Sequence, residues 1–150
     1  MGVTRKGPWN PDEIHRFLEA ARVPARLACN GASGHPVIAS LWFLSEGDRL
    51  WCATQRTARV VELLERDGRC AFEVAEDTPP YRGVRGQGHA VLSPERGESV
   101  LRRLIERYLG SDESEFAQWL LERADEEVAI GIEPDSLVSW DYTRRMQGAA

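Results

Sequence analysis

The chain has 150 residues, 19 of them basic and 24 acidic, for a formal net charge of −5. That length supports one domain, 1–150, with a core that needs no staples, and the acidic balance argues against a general nucleic-acid binder, which carries a basic surplus. No apolar run approaches a membrane span and no basic-then-apolar leader is visible, so a cytoplasmic protein without membrane contact is expected.

Residues 1–9 read as a loose arm containing Lys6, the sole lysine, which argues against Schiff-base chemistry. The other cations are arginines, planar and permanently charged, suited to gripping phosphates and carboxylates. Asn10-Pro11-Asp12-Glu13 combines an N-cap, a first-turn proline and a third-position glutamate, and predicts a helix that buries Ile14, Phe17, Leu18 and Ala21. Ala25–Cys29 and Pro36–Leu44 read as strands joined by the turn cluster Asn30–Gly34. A second hairpin turns at Ser45–Asp48 into a strand over Arg49–Thr54.

The stretch Leu50–Asp67 is the one around which the functional reading is built. It predicts a buried strand, a polar corner at Thr54–Arg56, and a helix whose first turn carries Thr57 and Arg59. A helix start leaves N–H groups unpartnered and carries partial positive charge, so two arginines and two threonines there make a candidate phosphate site. Thr57 would equally serve as an ordinary N-cap. Val60, Leu63 and Leu64 give this helix its apolar stripe, and Asp67-Gly68 ends it.

Arg69–Ala75 alternates as a strand, whereas the prolines of Glu76–Arg82 demand a loop. Gly83–Leu92 reads as a glycine-rich strand, bulged or closely approached by another backbone or a ligand. Helices follow over Glu95–Tyr108 and from Ser111-Asp112-Glu113 onward, the second burying Phe116, Trp119 and Leu120. Val128–Ile132 and Leu137–Tyr142 are closing strands separated by Glu133-Pro134-Asp135, and residues 144–150 read as a loose end. Seven short strands joined by tight turns, with helices at the ends, predict a mainly β (α+β) antiparallel barrel capped by helices rather than a parallel α/β sheet.

Cys29, Cys52 and Cys70 lie in apolar, strand-like runs without C-x-x-C spacing and are expected as buried free thiols. His15, His35 and His89 fall in separate elements, His15 on a helix surface, so neither a metal site nor a hydrolase triad is expected. Trp42, Trp51 and Trp140 fall in strands that a barrel would gather, either as core rings or beside a flat heterocycle.

Taken together, His35–Phe43, Leu50–Thr54, Thr57-Ala58-Arg59 with Leu63–Asp67, Cys70–Val74 and Tyr81–Gly88 resemble the pyridoxamine 5′-phosphate oxidase-like split-barrel family. The resemblance implies an antiparallel split β-barrel, usually a homodimer with two cofactor sites at its interface. It implies FMN as cofactor, with the deazaflavin F420 as the closest alternative. Carried over residue by residue, Thr54, Thr57 and Arg59 fall where the family's phosphate ligands fall, with Arg56 as a helper. Val37, Ala39, Ser40, Leu41 and Trp42 fall on the strand beside the ring, and Gln87 approaches the ring or lines the interface. Arg59 stands where the usual motif has lysine. No catalytic side chain is implied, because the cofactor would carry the hydride chemistry with a small substrate. A non-catalytic flavin- or haem-binding protein is the alternative outside enzymology.

Overall fold

The computed structural model describes residues 2–147. After β1 (Thr4–Lys6), Asn10 starts α1 (Pro11–Ala20) by accepting the Glu13 N–H on its side-chain oxygen at 2.9 Å. The chain continues through β2 (Ala25–Asn30), β3 (Pro36–Leu41), β4 (Leu44–Glu46), β5 (Arg49–Gln55) and α2 (Arg59–Arg66). It then forms β6 (Arg69–Ala75), β7 (Arg82–Ser93), α3 (Gly97–Leu109), α4 (Glu115–Leu121), β8 (Glu127–Asp141) and α5 (Thr143–Met146).

The strands form one curled sheet in the order β3-β2-β6-β7-β8-β5-β4, antiparallel throughout, with β1 added in parallel against β8. β8 is its spine. One side pairs with β7 along most of its length; the other pairs first with β5 and then, over Ser136–Val138, with β1. This is the expected mainly β half-barrel with helices packed around it.

Strand alternation sorts the side chains. Leu27, Phe72, Val84, Ile130 and Leu137 point inward, where Ile14 and Leu18 of α1 and Val61 and Leu64 of α2 close the core. The opposite face of β5 and β8, at Trp51 and Ala129, is covered by Val100 and Leu104 of α3. No helix of the described residues is long and apolar enough to cross a membrane.

Several elements depart from the sequence reading. Thr4–Lys6 is a strand, not part of a loose arm, and Thr143–Met146 is helical; residues 148–150 of the expected loose end lie outside the described residues. The predicted strand Pro36–Leu44 is broken after Leu41, so β4 turns into β5 around Gly47, whose φ of 61° suits glycine. The two closing strands are one. Pro134 sits opposite Gly88, where the β7 register shifts, and this irregularity lets the ladder pass a residue with no N–H.

Phe116 and Trp119, predicted buried, are each 50% exposed, because α4 starts later than expected, capped by Ser114, and packs through Ala117. His15 does not lie free on its helix but bonds Asp48 at 2.9 Å.

Candidate functional site

At the end of β5 the chain turns sharply. The Arg56 N–H donates to the Glu126 carbonyl at 2.8 Å and the Ala58 N–H to the Gln55 carbonyl at 2.9 Å, and these backbone bonds close the corner. α2 begins at Arg59 with Ala58 as its N-cap and no side-chain cap bond. Thr57 is therefore not the cap. It lies one residue too early and its side chain is exposed. Arg56 is also spoken for, because its guanidinium bonds the Glu126 carboxylate. Arg59 is exposed and has no hydrogen-bond or ion-pair partner among the described residues. With half-buried Thr54 at the end of β5, five residues before Arg59, and exposed Thr57 between them, this stretch carries two hydroxyls, an uncommitted guanidinium and a helix start without a side-chain cap. That donor set fits a phosphate.

Next to this corner the sheet is split. β3 and β5 come near each other without forming a ladder. Between them lies a cleft of about 330 Å³, lined on one side by Ser40, Leu41 and Trp42 and on the other by Ala53, Thr54 and Gln55. Such a volume is within the range of small-ligand sites.

Trp42 is held rigidly. Its ring stacks on Tyr108 at 4.9 Å and 5°, and the Tyr108 hydroxyl accepts from Phe43 N–H at 3.3 Å and donates to the Val23 carbonyl at 3.2 Å. Phe116 meets Trp42 edge-on at 6.2 Å, Trp119 stacks against Phe116, and the Arg123 guanidinium lies 4.7 Å over Trp119. The exposed aromatics of α4 thus form one wall of the cleft.

Within the cleft lies Glu127, 7% exposed. Gln55, its partner across the β5–β8 ladder, donates its side-chain N–H to Glu127 Oε2. Burial pushes the Glu127 carboxyl above the ordinary glutamate range, against the opposing pulls of the Gln55 hydrogen bond and the Arg123 charge. Sequence reading missed Gln55 and Glu127. The available signal was strand parity, since Glu127 shares a face with Ala129 and Gly131 beneath α3.

Not every residue singled out in sequence lies in the cleft. Val37 and Ala39 pack against the interior core, as does Leu41, while Ser40 points outward. Gln87 is exposed on the outer face of β7, with β6 and β2 between it and β3. It lines two other depressions, of about 420 and 660 Å³, and within one protomer it is not brought to the cleft. Cys29, Cys52 and Cys70 are buried free thiols. Burial raises all three, Cys52 to about 12 and Cys70 to about 11, so none is poised as a nucleophile. Among the described residues no group of three or more His, Cys, Asp or Glu is placed to hold a metal ion.

Solved structures with similar folds span nearly the whole chain. Conserved hypothetical protein Rv2991 from Mycobacterium tuberculosis is 25% identical with a TM-score of 0.78, over 92% of this chain and 88% of that one. A protein described as an F420 reductase is 19% identical with a TM-score of 0.71, over 87% and 97%. An FAD-binding protein from Mesorhizobium loti is 20% identical with a TM-score of 0.64, over 87% and 93%. No curated protein matches the sequence. The family model described as pyridoxamine 5′-phosphate oxidase matches residues 11–139, and the chain accordingly belongs to the pyridoxamine 5′-phosphate oxidase-like family.

Proposed function

We propose that this protein is an FMN-dependent oxidoreductase that transfers hydride to or from a small substrate. The carrying observation is the uncommitted Arg59 at a helix start without a side-chain cap, five residues along the chain from Thr54, which lines the cleft that runs along Trp42. Thr54 and Thr57 donate their hydroxyls to the cofactor phosphate and Arg59 supplies the balancing charge, while Arg56 stays with Glu126. The stretch Val37–Trp42 flanks the flat ring. Bound there, the cofactor supplies the hydride chemistry, and the protein contributes orientation and a partly dry cleft.

The proposed assembly is a homodimer, in which Gln87, remote from its own cleft, serves the cofactor of the partner protomer. We place the protein in the cytoplasm, a reducing compartment in which its three cysteines remain free. The second reading is F420. A deazaflavin shares the tricyclic ring and the phosphate, and the likeness to an F420 reductase over 97% of that chain favours testing it in parallel.

The absorbance of freshly purified protein separates these readings, because an oxidised flavin shows two bands and a deazaflavin one. Titration of the stripped protein with FMN and with F420 should give saturable binding of one of them, and turnover with a reduced nicotinamide then divides an enzyme from a carrier. Failure to bind either cofactor rejects the proposal.

A further inference from the structure

We propose that Glu127 is the proton-holding residue of the cleft, the group that meets the negative charge left by two-electron reduction on a molecule bound there. This deepens the reading of the cleft as a cofactor site and rests on it.

The geometry fixes where the proton sits. Gln55 Nε2 donates to Glu127 Oε2 and lies 3.4 Å from the Arg123 carbonyl. A carbonyl can only accept, so it holds the amide with its nitrogen toward both oxygens. Oε2 thereby accepts from Gln55, which favours a proton of this carboxyl on Oε1. Among the described residues Oε1 has no hydrogen-bond partner, and it is not one of the sealed, unpartnered polar atoms. It is free to face a molecule in the cleft.

The surroundings keep that proton in place. β3 contributes Ser40 and Leu41 to the cleft, Trp42 follows it, and α3 contributes Leu101 and Leu104, so none of these brings a charge. From β5 comes the neutral Gln55 amide. Arg123 is the only other charged side chain lining the cleft among the described residues, and its guanidinium lies over the Trp119 ring. The neighbouring Glu126 is paired with Arg56. Burial outweighs Arg123, and the carboxyl stays protonated to higher pH than an ordinary glutamate.

The step balances. A hydride from a reduced nicotinamide or reduced cofactor brings two electrons and one proton, and leaves an extra negative charge on the acceptor. The Oε1–H bond breaks with its electron pair remaining on Oε1, and the proton bonds the anionic atom. Glu127 then regains a proton from water.

Carbon-13 NMR of the glutamate carboxyls identifies Glu127 as the resonance missing from Glu127→Gln, a variant that preserves both shape and an acceptor for Gln55. In the wild type that resonance should titrate above every other glutamate. In parallel, binding of dithionite-reduced FMN and of reduced F420 is followed across the same pH range. The wild type should bind the reduced form at least about threefold more tightly below the Glu127 titration than above it, a step that Glu127→Gln lacks. Titration of Glu127 among the ordinary glutamates, or survival of the step in Glu127→Gln, overturns the assignment while leaving the cofactor cleft standing. Failure of the wild type to bind either cofactor at any pH overturns the cofactor reading, and the role of Glu127 with it.

Discussion

At the scale of single residues, the corner after β5 separates two arginines that look equivalent in sequence. Arg56 is tied to Glu126 in an exposed ion pair, an interaction worth between nothing and about 1 kcal/mol, whereas Arg59 has its charge to spend on a ligand. Arg59→Ala should therefore weaken FMN or F420 binding by about 1.5–3 kcal/mol, the scale of a charge-assisted hydrogen bond. Arg56→Ala should leave the affinity within a few-fold. Fluorescence titration of the two variants decides it, and a larger loss in Arg56→Ala would move the phosphate to the other side of the corner. The donors at this corner were legible because they lie within a few residues of one another. Glu127 was not, since its meaning comes from Gln55, 72 residues away across a ladder.

At the scale of elements, the end of α1 is held in part by a residue from another helix. Its last turn contains no basic residue; Arg22, just past it, donates to the carbonyls of Glu19, Ala20 and Ala21, and Arg107 of α3 reaches across to those of Leu18 and Glu19 at 2.9 Å and of Ala21 at 2.6 Å. Burial pulls the Arg107 pKa down, and its Nε is sealed without a partner among the described residues, so the contact carries a desolvation cost that the three carbonyls offset. Arg107→Ala should destabilise the fold by about 2–3 kcal/mol, and Arg107→Lys should recover only part of that, because an ammonium cannot span the same fork. Urea denaturation measures both; equal stability of Arg107→Ala and wild type would show that α1 needs no such clamp. The start of α1 was readable from Asn10 and Pro11 and its end from Val23-Pro24, whereas the Arg107 clamp on its last carbonyls was not, because it comes from another element. Similarly, helical spacing identified the apolar face of α4 without revealing that it would stand half-exposed at a cleft. Pro134 read as a strand break because the bulge that accommodates it, in which Asp135 has no partner between Pro134 opposite Gly88 and Ser136 opposite Gln87, is defined only by pairing with β7.

At the scale of the whole molecule, the mainly β architecture and the placement of the main helices were largely legible from alternation and turn residues, but strand order was not, since nothing local says that β3 closes toward β5. That order decides which side chains the barrel turns outward. Alternation along β3 sends Val37 and Ala39 to the core and leaves Ile38 71% exposed. Ile38 lines the depression of about 660 Å³ together with Ala28, Val138 and Gln87, among the charges of Arg26, Glu73 and Arg85. An isolated protomer gains nothing from so exposed an isoleucine. In a two-fold pairing the same patch meets its own copy, so apolar surface covers apolar surface and arginines can face Glu73. On the proposed homodimer, Ile38→Arg should give a monomer by light scattering at concentrations where the wild type is dimeric. Because Gln87 shares this face and serves the partner's cleft in that assembly, the variant should also bind cofactor more weakly. A dimeric Ile38→Arg would place the interface elsewhere, and a monomeric Ile38→Arg with undiminished affinity would remove Gln87 from the cofactor site.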